Sequence, residues 1–249
     1  MNQPSSSLIA MKPSILTCIL LASSIAGAQS AESKDTKPSA PSVITPGKAG
    51  SPPSDAIVLF DGTQMDAWQS QDGPAKWNLL ESEGAMEVKK GTGSLRTKSS
   101  FGDVQLHIEW ASPSVVEGSG QGRGNSGVYL QGRYEIQVLD SFNNETYFNG
   151  QAGSFYGHAA PLVNASRPPG QWQSYDIIFI SPKPQADGSV KPGSFTVLHN
   201  GVLIQHQTPI HGGATTAAEF NGVTPKGPLV LQDHGNPVRY RNIWIRELN

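Results

Sequence analysis

The sequence predicts an all-β fold, an antiparallel sandwich or jelly roll, and three observations carry that prediction. From Asp55 onward, short alternating or apolar runs are separated by Gly, Pro, Asn and Asp: AIVLF, WNLLES, AMEVKK, SLRTK, VQLHIEW, GVYLQ, YEIQVLD, SYDIIFI, SFTVLHN, VLIQHQ, PLVLQDH and VRYRNIWIREL. Many short strands with punctuated turns fit a sandwich, and no run keeps a helical period beyond a turn or two. HNGVL sets Asn200-Gly201 between two strand-like runs, the strongest short hairpin signal in the chain. The last run is expected to return beside the first, AIVLF.

The chain has 249 residues, 37% hydrophobic and 15% charged, which suits one globular domain with tails. Eighteen basic against 20 acidic residues leave a net charge of -2, so the electrostatic footprint of a nucleic-acid binder is missing. Residues 1–30 read as an export signal. Lys12 precedes the apolar run ILTCILLASSIAGA, which closes on Ala26-Gly27-Ala28, and cleavage is expected between Ala28 and Ala31. Residues 1–10 carry no positive charge, so Met1 and Met11 both stand as starts. The run is too short for a membrane span. Residues 31–54, polar and rich in Pro and Ser, read as a disordered linker, and residues 55–249 as the domain. The protein is expected to be exported, periplasmic or extracellular. The single cysteine, Cys18, lies in the apolar run behind Thr17, a larger residue than a lipid-anchor site favours. Cleavage leaves a mature chain without disulfides, thiol nucleophile or thiolate metal site.

Two segments are too irregular for strands: VEGSGQGRGNSG, and FNNETYFNGQAGSFYGHAAPLVNASRPPG with its aromatics, histidine and amides. Long loops in compact β domains are where binding sites concentrate. On YEIQVLD, the period of two puts Glu135 and Gln137 on one face and Ile136 and Val138 on the other. Asp140 is at an odd offset and joins Glu135 only through a bulge. The spacing E-x-Q-x-x-D is similar to the E-x-D-x-x-E strand of laminarinase-like glucanases, but an amide replaces the middle acid and the last acid is shorter. Retaining hydrolysis needs two carboxyls about 5–5.5 Å apart, so an endo-glucanase is the weakest reading. VQLHIEW alternates in the same way, with His107 and Glu109 on one face. If the two strands were neighbours, Glu109, His107, Glu135 and Gln137 would form a polar floor for a polyhydroxylated ligand. His158 and His234 lie in turn-like segments, whereas His199 and His206 flank a hairpin and read as surface residues. No cofactor is required. A divalent cation, Ca²⁺ as readily as zinc, would draw on His107, His158, His234 and the acids, although no close ligand spacing points to one.

The segments LFDGTQMDAW, GNSGVYLQGRYEIQVLDS, GSFYGHAAPLVNASRPPGQWQSYDIIF, FTVLHNGVLIQ and PLVLQDHGNPVRYRNIWIREL resemble the signature blocks of the 3-keto-disaccharide hydrolase domain. The resemblance runs from about Ala56 to the C-terminus. It implies a concanavalin A-like jelly roll acting on oxidised (3-keto) mono- or disaccharides as a 3-keto-glucoside 1,2-lyase or 3-keto-2-hydroxy-glucal hydratase. A ketone at C3 acidifies the C2 proton, so a base removes it while an acid protonates the oxygen leaving C1. Water added to the resulting glucal completes a net hydrolysis. The expected proton-transfer residues are Glu135, Asp140, His158 and His234, with base and acid unassigned and Glu109 also open. The expected sugar-holding residues are Glu109, His107, Arg133, Gln137, Asn125, Tyr156, Asp233 and Arg239. Of these, Gln137 and Arg133, together with His234, would steady the enolate. A non-catalytic carbohydrate-binding domain is the other reading, since fold does not dictate function.

Overall fold

The computed structural model describes residues 40–248. The chain divides into Met1–Ser42 and Val43–Asn249, and the fold is that of the second unit. The expected export signal, its cleavage site and Cys18 lie outside the described residues.

Sixteen strands are numbered here in chain order. The larger sheet runs β14 (Val202–Ile210), β13 (Gly193–His199), β10 (Gln173–Ile180), β7 (Val104–Ala111), β16 (Arg239–Glu247), β5 (Ala85–Glu87) and β4 (Asn78–Leu80), with β1 (Ile57–Phe60) also paired to β16. The smaller sheet runs β3 (Gly73–Pro74), β2 (Trp68–Ser70), β6 (Leu95–Thr97), β15 (Val230–Leu231), β8 (Ser126–Leu130) and β9 (Tyr134–Val138). A two-stranded ribbon, β11 (Lys183–Pro184) with β12 (Val190–Lys191), stands apart. Every pairing is antiparallel. The fold is therefore a concanavalin A-like jelly-roll sandwich. Among the described residues the helices are three single 3₁₀ turns, and none is long and apolar enough to cross a membrane.

The alternation seen in the sequence builds the core. Val104, Leu106, Ile108 and Trp110 of β7 point inward, as do Val128 and Leu130 of β8 and Tyr134, Ile136 and Val138 of β9. Each such side chain stabilises the fold by roughly 1.5–3 kcal/mol when fully buried. β13 and β14 are joined through Asn200 (φ 52°) and Gly201 (φ 79°). Two successive left-handed residues match the twist of a two-residue hairpin, which is why Asn-Gly is found there. The same alternation corrects the reading of His199 as a surface residue. It shares the inward face of β13 with Phe195 and Val197, packs against Trp110 and Tyr175, and bonds through Nε2 to Gln173 Oε1 at 2.8 Å.

β1 does pair with the last strand, Ile57 opposite Ile245. A register shift in β16 between Arg241 and Trp244 puts Asn242 at φ 47° and turns its amide outward. Asn242 Nδ2 and Trp244 Nε1 donate to the Gly50 carbonyl at 2.7 and 3.1 Å, Ser54 N donates to Thr45 O at 3.0 Å, and Asp55 accepts from Arg246. Residues 45–54, expected as disordered linker, are thus held against the larger sheet because those outward donors need an acceptor.

Candidate active site

The face of the smaller sheet turned away from the core carries the polar side chains. Antiparallel register aligns Gln69, Arg96, Val230, Tyr129 and Glu135 across five strands. An isolated bridge between Ile136 and Phe155, with Tyr156 N donating to Glu135 O, continues the row to Tyr156. Glu135 therefore stands between two tyrosines. In front of Tyr129 opens a cavity of about 660 Å³, lined along this face by Arg96, Val230, Tyr129 and Gln232 and walled by Gln71, Asp72, Lys76, residues 91–94, Ala217 and Glu219. Its charges are paired, Lys76 with Asp72 and Arg96 with Glu219.

Glu135 is 2% exposed. Burial pushes its carboxyl up to about 8, partly offset by a hydrogen bond with Tyr129. Burial, and then the neighbouring Glu135 charge, hold the Tyr129 phenol well above its ordinary range. Gln232 Nε2 donates to that phenol oxygen at 3.0 Å. The carboxyl has room because residue 127 is glycine: a Cβ there would sit 2.5 Å from Glu135 Oε1 and 2.7 Å from the Tyr129 ring. A carboxyl titrating near neutrality beside a neutral phenol can both accept and return a proton.

Behind this pair lies an amide network. Gln137 Nε2 donates to Gln121 Oε1 at 2.9 Å, and Asn125 Nδ2 donates to the Gln121 carbonyl at 2.7 Å. Gln137 and Asn125 thus fasten the glycine-rich loop to β9. Asp233 also serves the wall, its Oδ2 accepting from Gly91 N at 2.8 Å and Gly93 N at 3.0 Å.

Other expected residues are not brought to the cavity. No bulge breaks the β8–β9 register. Asp140 instead lies past the end of β9, where its Oδ2 accepts from Arg123 Nε at 2.7 Å. Arg133 reaches back over its own turn to the carbonyls of Gln131, Asn221 and Gly222, and so ties down a loop. His158 is exposed and stacks on Phe155, and His234 is exposed on the turn after Asp233.

The polar floor expected from two neighbouring strands is not formed, because β7 and β9 belong to different sheets. His107 and Glu109 face outward from the larger sheet. There His107 Nδ1 is 2.6 Å from Asp176 Oδ1 and the ring stacks on Trp244. Burial opposes charge on this ring, but Asp176 and then Glu109 outweigh it and raise the pKa to about 9. Glu109 is drawn down to about 2, first by His107 and further by Asn242 and Arg241. Arg239 pairs with Glu83 and lies over Trp172, on β16 of this same sheet. Among the described residues no group of three or more His, Cys, Asp and Glu is placed to hold a metal ion, and the suggested donors His107, His158 and His234 do not converge. Sequence reasoning missed Tyr129, Arg96 and Gln232. The alternation of GVYLQ does set Gly127 and Tyr129 opposite Val128, which was the available signal.

A polar cavity on an outer sheet face, with a buried carboxyl paired across the strands with its Tyr129 wall, fits a carbohydrate-active β-sandwich. The chain belongs to the family of the 3-keto-alpha-glucoside-1,2-lyase-like domain, which matches residues 55–246. A solved structure from Parabacteroides distasonis ATCC 8503, described as a candidate glycosyl hydrolase, is 46% identical over 88% of this chain and 97% of its own, with a TM-score of 0.79. Two further structures from that organism, described in the same terms, share the fold at 19% and 22% identity. They have TM-scores of 0.57 and 0.54 and cover 78% of this chain, at 94% and 99% of their own length. No curated protein matches the chain.

Proposed function

We propose that the protein cleaves 3-keto-glycosides by elimination across C1 and C2, with Glu135 moving the proton. The observation that carries this reading is the single buried carboxyl between Tyr129 and Tyr156, directly behind the tyrosine that lines a cavity large enough for a disaccharide. Ionised Glu135 takes the C2 proton, and the electron pair forms an enolate with the C3 oxygen. The enolate collapses to a C1–C2 double bond and restores the ketone as the C1–O bond breaks. The proton now on Glu135 goes to the departing oxygen. Addition of water, with OH to C1 and H to C2, then yields the free 3-keto sugar. Tyr129, neutral at all working pH values, holds the Glu135 carboxyl through its phenol and sets where that carboxyl stands. A second carboxylate is not needed, in keeping with Asp72 and Glu219 being paired with cations. The same reading has the protein exported, on the strength of the apolar run ahead of Ala28, to where a sugar oxidoreductase supplies its substrate.

The test pairs a 3-keto-glucoside with its unoxidised parent in deuterated water. Only the oxidised substrate should turn over, and its free-sugar product should carry deuterium at C2 beyond background exchange of the ketosugar. Turnover without label means direct displacement at C1. Turnover of neither compound, with sugar binding retained, makes this a binding domain.

Gly127→Ala gives a second expectation. The added methyl must displace the Glu135 carboxyl and the Tyr129 ring, the nearest groups it meets. Misplacement on the scale of 1 Å costs roughly 10²-fold in rate, so kcat should fall by about that factor, with an unchanged circular dichroism spectrum as the folding control.

A further inference from the structure

We infer that Tyr147, Phe148 and Tyr156 form the subsite that holds the leaving group of the substrate, taking a ring with an apolar face, either a second sugar or an aromatic aglycone. This rests on the reading of Glu135 as the proton-transfer residue. Tyr156 continues the row beyond Glu135, on the side opposite the cavity in front of Tyr129. Its hydroxyl is bonded to that of Tyr147, and the two rings meet edge to face at 6.2 Å. Phe148 follows directly and is 81% exposed.

That exposure is built and not the result of a loose loop. Gly157 N donates to the Asn149 carbonyl at 2.9 Å, and Asn149 Nδ2 returns a bond to the Gly157 carbonyl at 3.0 Å. Gln121 Nε2 fixes the Gly150 carbonyl at 2.8 Å. The Tyr147 ring lies so close on Gly150 that a Cβ there would sit 2.1 Å from it. Two neighbouring aromatic side chains held outward on a fastened turn, Tyr147 and Phe148, joined through Tyr147 to the tyrosine next to Glu135, present an apolar face that a ligand ring can cover. The substrate provides one. With the keto sugar in the polar cavity and its C1 and C2 beside Glu135, the group attached at C1 extends past Tyr156 towards Tyr147 and Phe148. Rings with apolar faces stack on such side chains.

Phe148→Ala tests this with three substrates: methyl, phenyl and glucosyl 3-keto-glucosides. The ratio of kcat/KM for the phenyl or the glucosyl substrate to that for the methyl substrate should fall about 10-fold, the low end of what one apolar pocket contact contributes to discrimination. A fall confined to the phenyl substrate assigns the subsite to aromatic aglycones, and one confined to the glucosyl substrate assigns it to a second sugar. Equal kcat/KM changes for all three substrates, or none, overturn the inference. If the wild-type protein turns over none of the three, the elimination reading itself fails. Titration with phenyl glucoside while following the Phe148 ring resonances then decides the subsite separately: shifts retain it as a ring-binding site, and their absence removes it.

Discussion

Glu135→Gln should lower kcat/KM on a 3-keto-glucoside by at least about 10²-fold, the usual scale of general acid–base catalysis, and should at the same time make the protein more stable above about pH 5. Both effects come from the burial of one carboxyl. Removing it from water raises its pKa from 4.5 to about 8. Between those two values the folded chain holds a proton that the unfolded chain has released. Stability contributed by this group is therefore complete below about pH 4.5, declines as pH rises, and is lost through pH 8. The amide has no charge to bury, so the decline disappears in the variant. Urea unfolding of both proteins from pH 5 to pH 9 measures it, the difference widening with pH until it levels off near 8. The wild-type rate should move the other way. The base must be ionised to take the C2 proton, so kcat/KM should climb with pH towards the same value. A site that weakens the fold under the conditions in which it works is the usual trade of stability for function. Full activity in Glu135→Gln would remove Glu135 from the chemistry, and loss of activity without the stability gain would mean that the carboxyl is not buried as described.

The elements that were legible in the sequence are those whose information is local. Alternation along YEIQVLD placed Glu135 and Gln137 on the face away from the core, and the Asn200-Gly201 turn defined a hairpin before any coordinates. What alternation does not carry is the sheet a strand joins. His107 and Glu109 show the same pattern as Glu135 and Gln137, yet long-range pairing puts β7 between β10 and β16 and sends their side chains to the opposite surface of the sandwich. Tyr129 meets Glu135 across the β8–β9 hairpin, but Arg96 joins them only through the cross-strand register of Val230, a relation between segments far apart in the chain. Asp233 was expected at the sugar. It is instead consumed by backbone amides of Gly91 and Gly93, some 140 positions earlier, a partnership that no spacing rule reveals. His199 is a different case: its parity with Phe195 and Val197 was in the sequence, and proximity to a turn misled.

Asp140→Ala should cost stability, not chemistry. Its carboxyl is 2% exposed and bonded to Arg123 Nε, while Phe142 N donates to Oδ1 at 3.2 Å. Arg123 goes on to the Phe142 carbonyl at 2.9 Å, and Asn144 Nδ2 donates to the Asp140 carbonyl at 2.7 Å. The glycine-rich loop is joined by this group to the segment that follows β9. Removing one partner of a buried ion pair leaves the other charge without compensation and typically costs about 3–5 kcal/mol. A loss of that order should appear as a large drop in melting temperature and urea midpoint. Asp140→Asn keeps the shape and an acceptor for Phe142 N, so it should lose less. In both variants, kcat measured well below the melting transition should stay within a few-fold of wild type, because no atom of Asp140 reaches the cavity lined by Tyr129 and Arg96. The residual effect would pass through Gln121, which the same loop presents to Gln137. An Asp140→Asn protein with unchanged melting temperature and a 10²-fold lower kcat, the size of effect that proton transfer commands, would reverse the assignment. It would return Asp140 to the catalytic role that its spacing from Glu135 first suggested.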